Sequence, residues 1–179
     1  LITICVIMAM FIFDVSLSLL NYKYRSKPIP DNVVDIYNEE DYSKWLSYTM
    51  EGFKVAMLSK VSSTVVLIGF LVLGIFPKIA GLAEQMTHNV IVQNLLFFAI
   101  YMVINYILGI GFTLYSTFVI EEGYGFNKTS PKTFILDQIK GTLLTVLLGG
   151  GVLYIVIYLY QIFGTQSLLY TWLIIMGLS

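Results

Sequence analysis

Charge is what this sequence has least of. Ten lysines and arginines, eleven aspartates and glutamates and one histidine are spread over 179 residues, 12% charged against 58% hydrophobic, where a water-soluble domain has about a quarter of its residues charged. So few charges cannot clothe a water-facing surface. A net charge of -1, with no arginine-rich or aromatic-interleaved basic patch, excludes nucleic acid as a partner. Cys5 is the one cysteine, which rules out an internal disulfide and a thiolate metal cluster; its apolar neighbours predict a small packing residue. His88 is the one histidine, so the paired ligands of a zinc-binding H-E-x-x-H helix cannot be drawn from these residues. No catalytic residue and no metal ligand is assigned, and no cofactor is expected within this segment. Proline is equally scarce, four in all, which leaves long stretches free to be helical.

What is present is apolar and arranged in runs. Residues 1–21 hold one charge, Asp14; residues 55–83 carry Lys60 near their start and Lys78 near their end; residues 90–120 are uncharged throughout; residues 141–164 form a fourth run; and residues 168–179 are apolar but too short to cross a bilayer. A hydrocarbon core of roughly 30 Å takes about 20 helical residues. The composition therefore predicts an all-α, polytopic transmembrane helical bundle with the lipid bilayer as solvent, four full spans plus a truncated fifth. The third run, as a helix of 31 residues, would be about 46 Å long and must tilt or project. The chain begins at Leu1 and stops inside its last apolar run, so both ends read as boundaries of processing or of the segment chosen. The first run is too long, and lacks the cationic start, for a cleavable signal peptide.

Loop lysines and arginines orient the spans, because cytoplasmic loops retain them. Six fall between the first and second runs (Lys23, Arg25, Lys27, Lys44, Lys54, Lys60), one in the next connection (Lys78), three in the next (Lys128, Lys132, Lys140) and none after it. The alternation puts the N-terminus outside and loops 22–54 and 121–140 in the cytoplasm. Within the first loop, Lys27-Pro28-Ile29-Pro30 favours extended chain, and a helix is predicted from Glu40 to Lys60, running into the second span.

Polar residues inside spans mark places to look. Asp14, with Ser16 and Ser18 nearby, needs a partner or a watery cavity, and Asn105 in the third run reads as a bond to a neighbouring helix; both are candidates for chamber-lining positions. Gly141, Thr145 and Gly149 form a small-residue stripe that permits close helix approach. The run Gly149-Gly150-Gly151 lacks the Lys-Ser/Thr of a phosphate loop. Asn127-Lys128-Thr129 fits a glycosylation sequon but lies in a loop assigned to the cytoplasm.

The loop after the third run carries the most information: Glu121-Glu122-Gly123-Tyr124-Gly125-Phe126-Asn127, then Ser130-Pro131 as a helix start, then Asp137 and Lys140 three apart on that helix. Asp137 and Lys140 predict either a weak surface ion pair or a docking surface. This pattern resembles the N-terminal membrane domain of the CAAX prenyl protease family, integral-membrane zinc metallopeptidases with a glutamate, then Gly-Phe-Asn, then an aspartate and a lysine on the next helix. Here the matching positions are Glu121, Gly125, Phe126, Asn127, Asp137 and Lys140, and the likeness extends to the basic turn at Tyr22 to Arg25 and to Tyr48 and Lys54.

The resemblance implies a seven-helix bundle around a water-filled chamber, with zinc held in the full-length parent by an H-E-x-x-H helix and a downstream glutamate. It implies a peptide or prenylated peptide as the parent's substrate and a downstream catalytic domain as the partner of this segment. The six motif residues then become interdomain or structural positions. The zinc-binding helix, the third ligand and the last two spans of that pattern are not among these residues. A bacterial plasma membrane is expected over the endoplasmic reticulum. A channel- or transporter-like bundle, or a membrane scaffold, is the competing reading.

Overall fold

The computed structural model describes residues 1–25 and 39–178, so the extended stretch predicted at Lys27 to Pro30 lies outside the described residues. Among the described residues six α-helices follow one another: α1 (Ile2–Arg25), α2 (Glu39–Val72), α3 (Ile75–Met86), α4 (Val90–Tyr115), α5 (Pro131–Phe163) and α6 (Ser167–Leu178). No strand occurs among the described residues. Four helical stretches among the described residues are long and apolar enough to cross a membrane: Ile2–Arg25, Glu39–Val72, Val90–Glu121 and Pro131–Gln166.

Local chemistry sets most of the helix ends. Lys23 and Arg25 sit in the last turn of α1, and Glu39, Glu40 and Asp41 in the first turn of α2, each sign complementing the helix dipole. The predicted helix from Glu40 is the N-terminal part of α2, which at 34 residues is about 51 Å long, well beyond a bilayer core. At α4, Asn89 Oδ1 accepts from the amides of Ile91 at 3.0 Å and Val92 at 3.2 Å, an N-cap. Exposed His88 sits in the turn before it. At α5, Ser130 Oγ accepts from the Thr133 amide at 3.1 Å with Pro131 in the first turn, as the sequence predicts.

One span departs from expectation. The run 55–83 does not form a single helix: α2 stops at Val72, Gly74 takes φ +64°, and α3 restarts at Ile75. A left-handed residue cannot continue a right-handed helix, and glycine adopts that conformation without steric cost. Pro77, in the first turn of α3, lacks the amide that a continuous helix would have needed there.

The chain divides into two compact units, Leu1–Ile75 with Tyr106–Lys128, and Phe76–Asn105 with Thr129–Ser179. In the first, α1 packs on α2, with the rings of Tyr22 and Phe53 stacked at 4.5 Å, and Ile120 is buried. In the second, Ile79 and Ala83 of α3 and Phe134 of α5 are buried. Phe76 faces Phe97 and Tyr101 of α4 at 6.2 and 5.6 Å. Gly141, Thr145 and Gly149 lie on an exposed face of α5, Thr145 returning its hydroxyl to the Gly141 carbonyl at 2.8 Å. Cys5 is exposed on α1 rather than packed: few side chains of a lipid-facing helix are covered by their own unit.

Candidate functional site

The last turn of the third span is not α-helical. Ser116–Glu121 winds as a π-helix, a wider turn that is often found at functional sites. The chain then closes tightly. The Phe126 amide donates to the Glu121 carbonyl at 2.8 Å and the Gly125 amide to the Glu122 carbonyl at 3.0 Å. Gly125 has φ +73°. A six-to-one bond, a second bond nested inside it and a left-handed glycine make a Schellman C-cap, with Gly125 at the position that glycine favours. The spacing Glu121 to Gly125-Phe126 is thus the covalent form of a helix stop. Asn127 completes it: its amide also reaches the Glu121 carbonyl, at 3.1 Å, and its side-chain Nδ2 donates to Glu122 Oε2 at 2.8 Å.

The polar extension of α2 holds this cap. Tyr48 meets Phe126 edge-on at 5.0 Å and Tyr124 at 5.7 Å, and Lys44 Nζ lies over the Phe126 ring at 5.3 Å, a cation–π contact. Glu51, one turn beyond Tyr48, is hydrogen-bonded to the Tyr124 hydroxyl. Partial burial first, then the charge and hydrogen bond of Glu51, raise the Tyr124 phenol above the ordinary tyrosine value near 10. The sign follows. Below pH 10 the phenol is neutral whether or not the loop is docked, and its contribution is complete; it is lost as pH rises through the raised value. Ultraviolet difference titration against Tyr124→Phe should show this phenol ionising above the ordinary tyrosine value, and Glu51→Gln should move it back towards that value.

Asp14 finds its partner inside the span. Lys60 Nζ of α2 lies 2.9 Å from Asp14 Oδ2 and 3.1 Å from Ser18 Oγ. The sequence flags Asp14 as needing a counter-group, but Lys60 reads there only as a cation near the start of the second run. Asn105, read from the sequence as a bond to a neighbouring helix, donates its Nδ2 to the Tyr101 carbonyl of its own helix at 2.8 Å.

Asp137 and Lys140 are exposed on α5, and among the described residues they form no ion pair. The structure therefore gathers Glu121, Gly125, Phe126 and Asn127 into one cap in the first unit, while Asp137 and Lys140 belong to the second. Lys44 and Glu51 carry no sequence signal, because their roles come from a turn folded against them.

Zinc can be tested against these side chains. Among the described residues no group of three or more histidines, cysteines, aspartates or glutamates converges to hold a metal ion. The residues do not fit a zinc site, and no chemical step is derived through one.

The family model described as CAAX prenyl protease N-terminal, five membrane helices, matches residues 18–179. Relatives named CAAX prenyl protease 1 homolog in rice and Arabidopsis thaliana are 29% and 31% identical, across 98% and 95% of this chain but 43% and 42% of their own lengths. CAAX prenyl protease 1 of Saccharomyces cerevisiae is 27% identical over 90% of this chain and 38% of itself. The crystal structure of S. mikatae Ste24p superposes with a TM-score of 0.84 at 27% identity, covering 98% of this chain and 42% of that one. The chain thus spans about two fifths of the length of the relatives it matches. With four membrane-length helices and a helix cap that accounts for the Glu121 to Asn127 pattern, this all-α membrane protein belongs to the CAAX prenyl protease family, of which it is the N-terminal membrane part.

Proposed function

We propose that the chain forms chamber wall and a docking surface for the H-E-x-x-H domain of a zinc metalloendopeptidase acting on peptides or prenylated peptides. The observation that carries this reading is the cap at Gly125. A loop held by three backbone bonds and by Tyr48 of a second helix is pre-organised, and pre-organised surfaces dock other parts of a protein at low entropic cost. Glu121, Glu122 and Asn127 supply its polar edge. Asp137 and Lys140, exposed and unpaired with each other, supply a second edge on α5 for the same downstream domain. Zinc and its ligands belong to that domain.

The reading keeps the N-terminus outside and residues 22–54 and 121–140 cytoplasmic, on the lysine and arginine bias alone. A bacterial plasma membrane draws no support from the relatives named above, which come from rice, Arabidopsis and yeast; we place the protein in a eukaryotic internal membrane. A channel-like bundle would draw on Asp14, Asn105 and the glycine-rich spans; of these, Asp14 is paired with Lys60 and Asn105 is bonded to its own helix.

The test uses the full-length protein. Glu121→Gln, Asn127→Ala, Asp137→Asn and Lys140→Gln should each lower cleavage of a prenylated peptide by about tenfold or more, since displacing a site by even 1 Å costs rate on that scale. Unchanged cleavage together with unchanged assembly in all four variants would end the proposal.

A further inference from the structure

The first unit carries a groove that neither the Gly125 cap nor the Asp14–Lys60 pair uses. It encloses about 470 Å³ between α2 and α4, lined by Lys54, Leu58, Leu108, Gly111, Phe112 and Tyr115 among others. That volume lies within the roughly 300–1,000 Å³ of small-molecule sites. Its walls are apolar except at one end, where Lys54 and Tyr115 stand.

That end coincides with the membrane interface. Glu39, Glu40, Asp41, Lys44 and Glu51 precede Lys54 on α2, and only Lys60 is charged between it and Val72. Tyr115 ends α4 six residues before Glu121, the first charge after the third run, where an amphipathic ring suits the approach to the head groups. Leu108, seven residues back along α4, is about 10 Å deeper. Gly111 leaves its wall open: a Cβ there would meet nothing within 4 Å. Among the described residues Lys54 has no ion-pair partner.

We propose that this groove seats an acyl chain of an anionic phospholipid from the surrounding bilayer, its head group held by Lys54. Charge selects the occupant. An uncharged apolar segment would fill the walls but leave the ammonium uncompensated, whereas an anionic lipid satisfies both ends at the depth where each lies. One lysine near the surface favours anionic over zwitterionic lipid by about fivefold.

The full-length protein, reconstituted in phosphatidylcholine nanodiscs with trace phospholipid bearing a photoreactive acyl chain, tests this by mass mapping of the cross-links. Peptides containing Leu58 and Leu108 to Phe112 should be labelled about fivefold more by the phosphatidylserine probe than by the phosphatidylcholine probe. Lys54→Gln should bring the two probes level, and Gly111→Phe should abolish labelling of the groove. Leu58→Phe fills the groove from the opposite wall should the first blocking variant lose its helicity. Equal labelling by both probes in the unaltered protein overturns the proposal. So does an unlabelled groove, which would mean that the rest of the protein covers it, or label displaced by a prenylated peptide but not by phosphatidylserine.

Discussion

Replacing Lys60 with leucine is expected to destabilise the membrane-embedded fold by about 2–3 kcal/mol, the cost scale of a lone aspartate near the centre of an apolar helix. Asp14 sits mid-way along α1, and its carboxylate meets Lys60 Nζ at 2.9 Å while the same ammonium donates to Ser18 at 3.1 Å. Removing the cation strands the anion; removing both charges does not. Asp14→Asn added to Lys60→Leu should therefore recover most of the loss, because no lone charge is then left in the apolar run. A double-mutant cycle, read by steric trapping or by unfolding in mixed detergent micelles, measures the coupling directly. A coupling below about 0.5 kcal/mol, the level of an exposed surface pair, would show that the two charges are neighbours without being partners.

The same pair shows what a sequence exposes and what it hides. An aspartate in an apolar run declares a need, because its cost is intrinsic to the residue and its solvent. Its partner, Lys60, lies 46 residues further along the chain, and nothing local distinguishes that lysine from one that snorkels. Helix starts are legible for the opposite reason: Ser130-Pro131 is complete within four residues, and the serine caps α5 as expected. The break at Gly74 is harder to see. A single glycine in an apolar run is compatible with an unbroken span, and only its φ of +64° makes it a stop. Asn105 reads as an interhelical contact because a polar group in a span must be satisfied, but the i−4 carbonyl of its own helix is the nearer acceptor. The family pattern around Glu121 is legible as spacing; its cause is the cap, where Gly125 takes the left-handed position and Phe126 turns back onto Tyr48. Glycine four residues after a helical glutamate was the available signal for that turn.

Tyr48 is the one ring of α2 that meets both aromatics of the cap, so Tyr48→Ala should loosen it. Tyr48 makes edge contacts with both Phe126 and Tyr124, and each such pair contributes about 0.5–1.5 kcal/mol beyond the area it covers. A combined loss near 2 kcal/mol corresponds to about thirtyfold in the opening equilibrium. Hydrogen exchange reads this at two amides, Phe126 and Asn127, both bonded to the Glu121 carbonyl; their protection should fall by that factor while amides in the middle of α4 are unmoved. Tyr48→Phe keeps the ring and should keep the protection. Gly125→Ala attacks the same cap from within, since a β-carbon in the left-handed region costs about 1–2 kcal/mol. Combined with Tyr48→Ala it should add less than the sum, because a loop already released has no cap left to strain. If Tyr48→Ala leaves both amides as protected as before, the Tyr48 ring is only a neighbour of the turn. The backbone bonds, with Lys44 over Phe126 and Glu51 on the Tyr124 hydroxyl, would then be what holds the cap for docking.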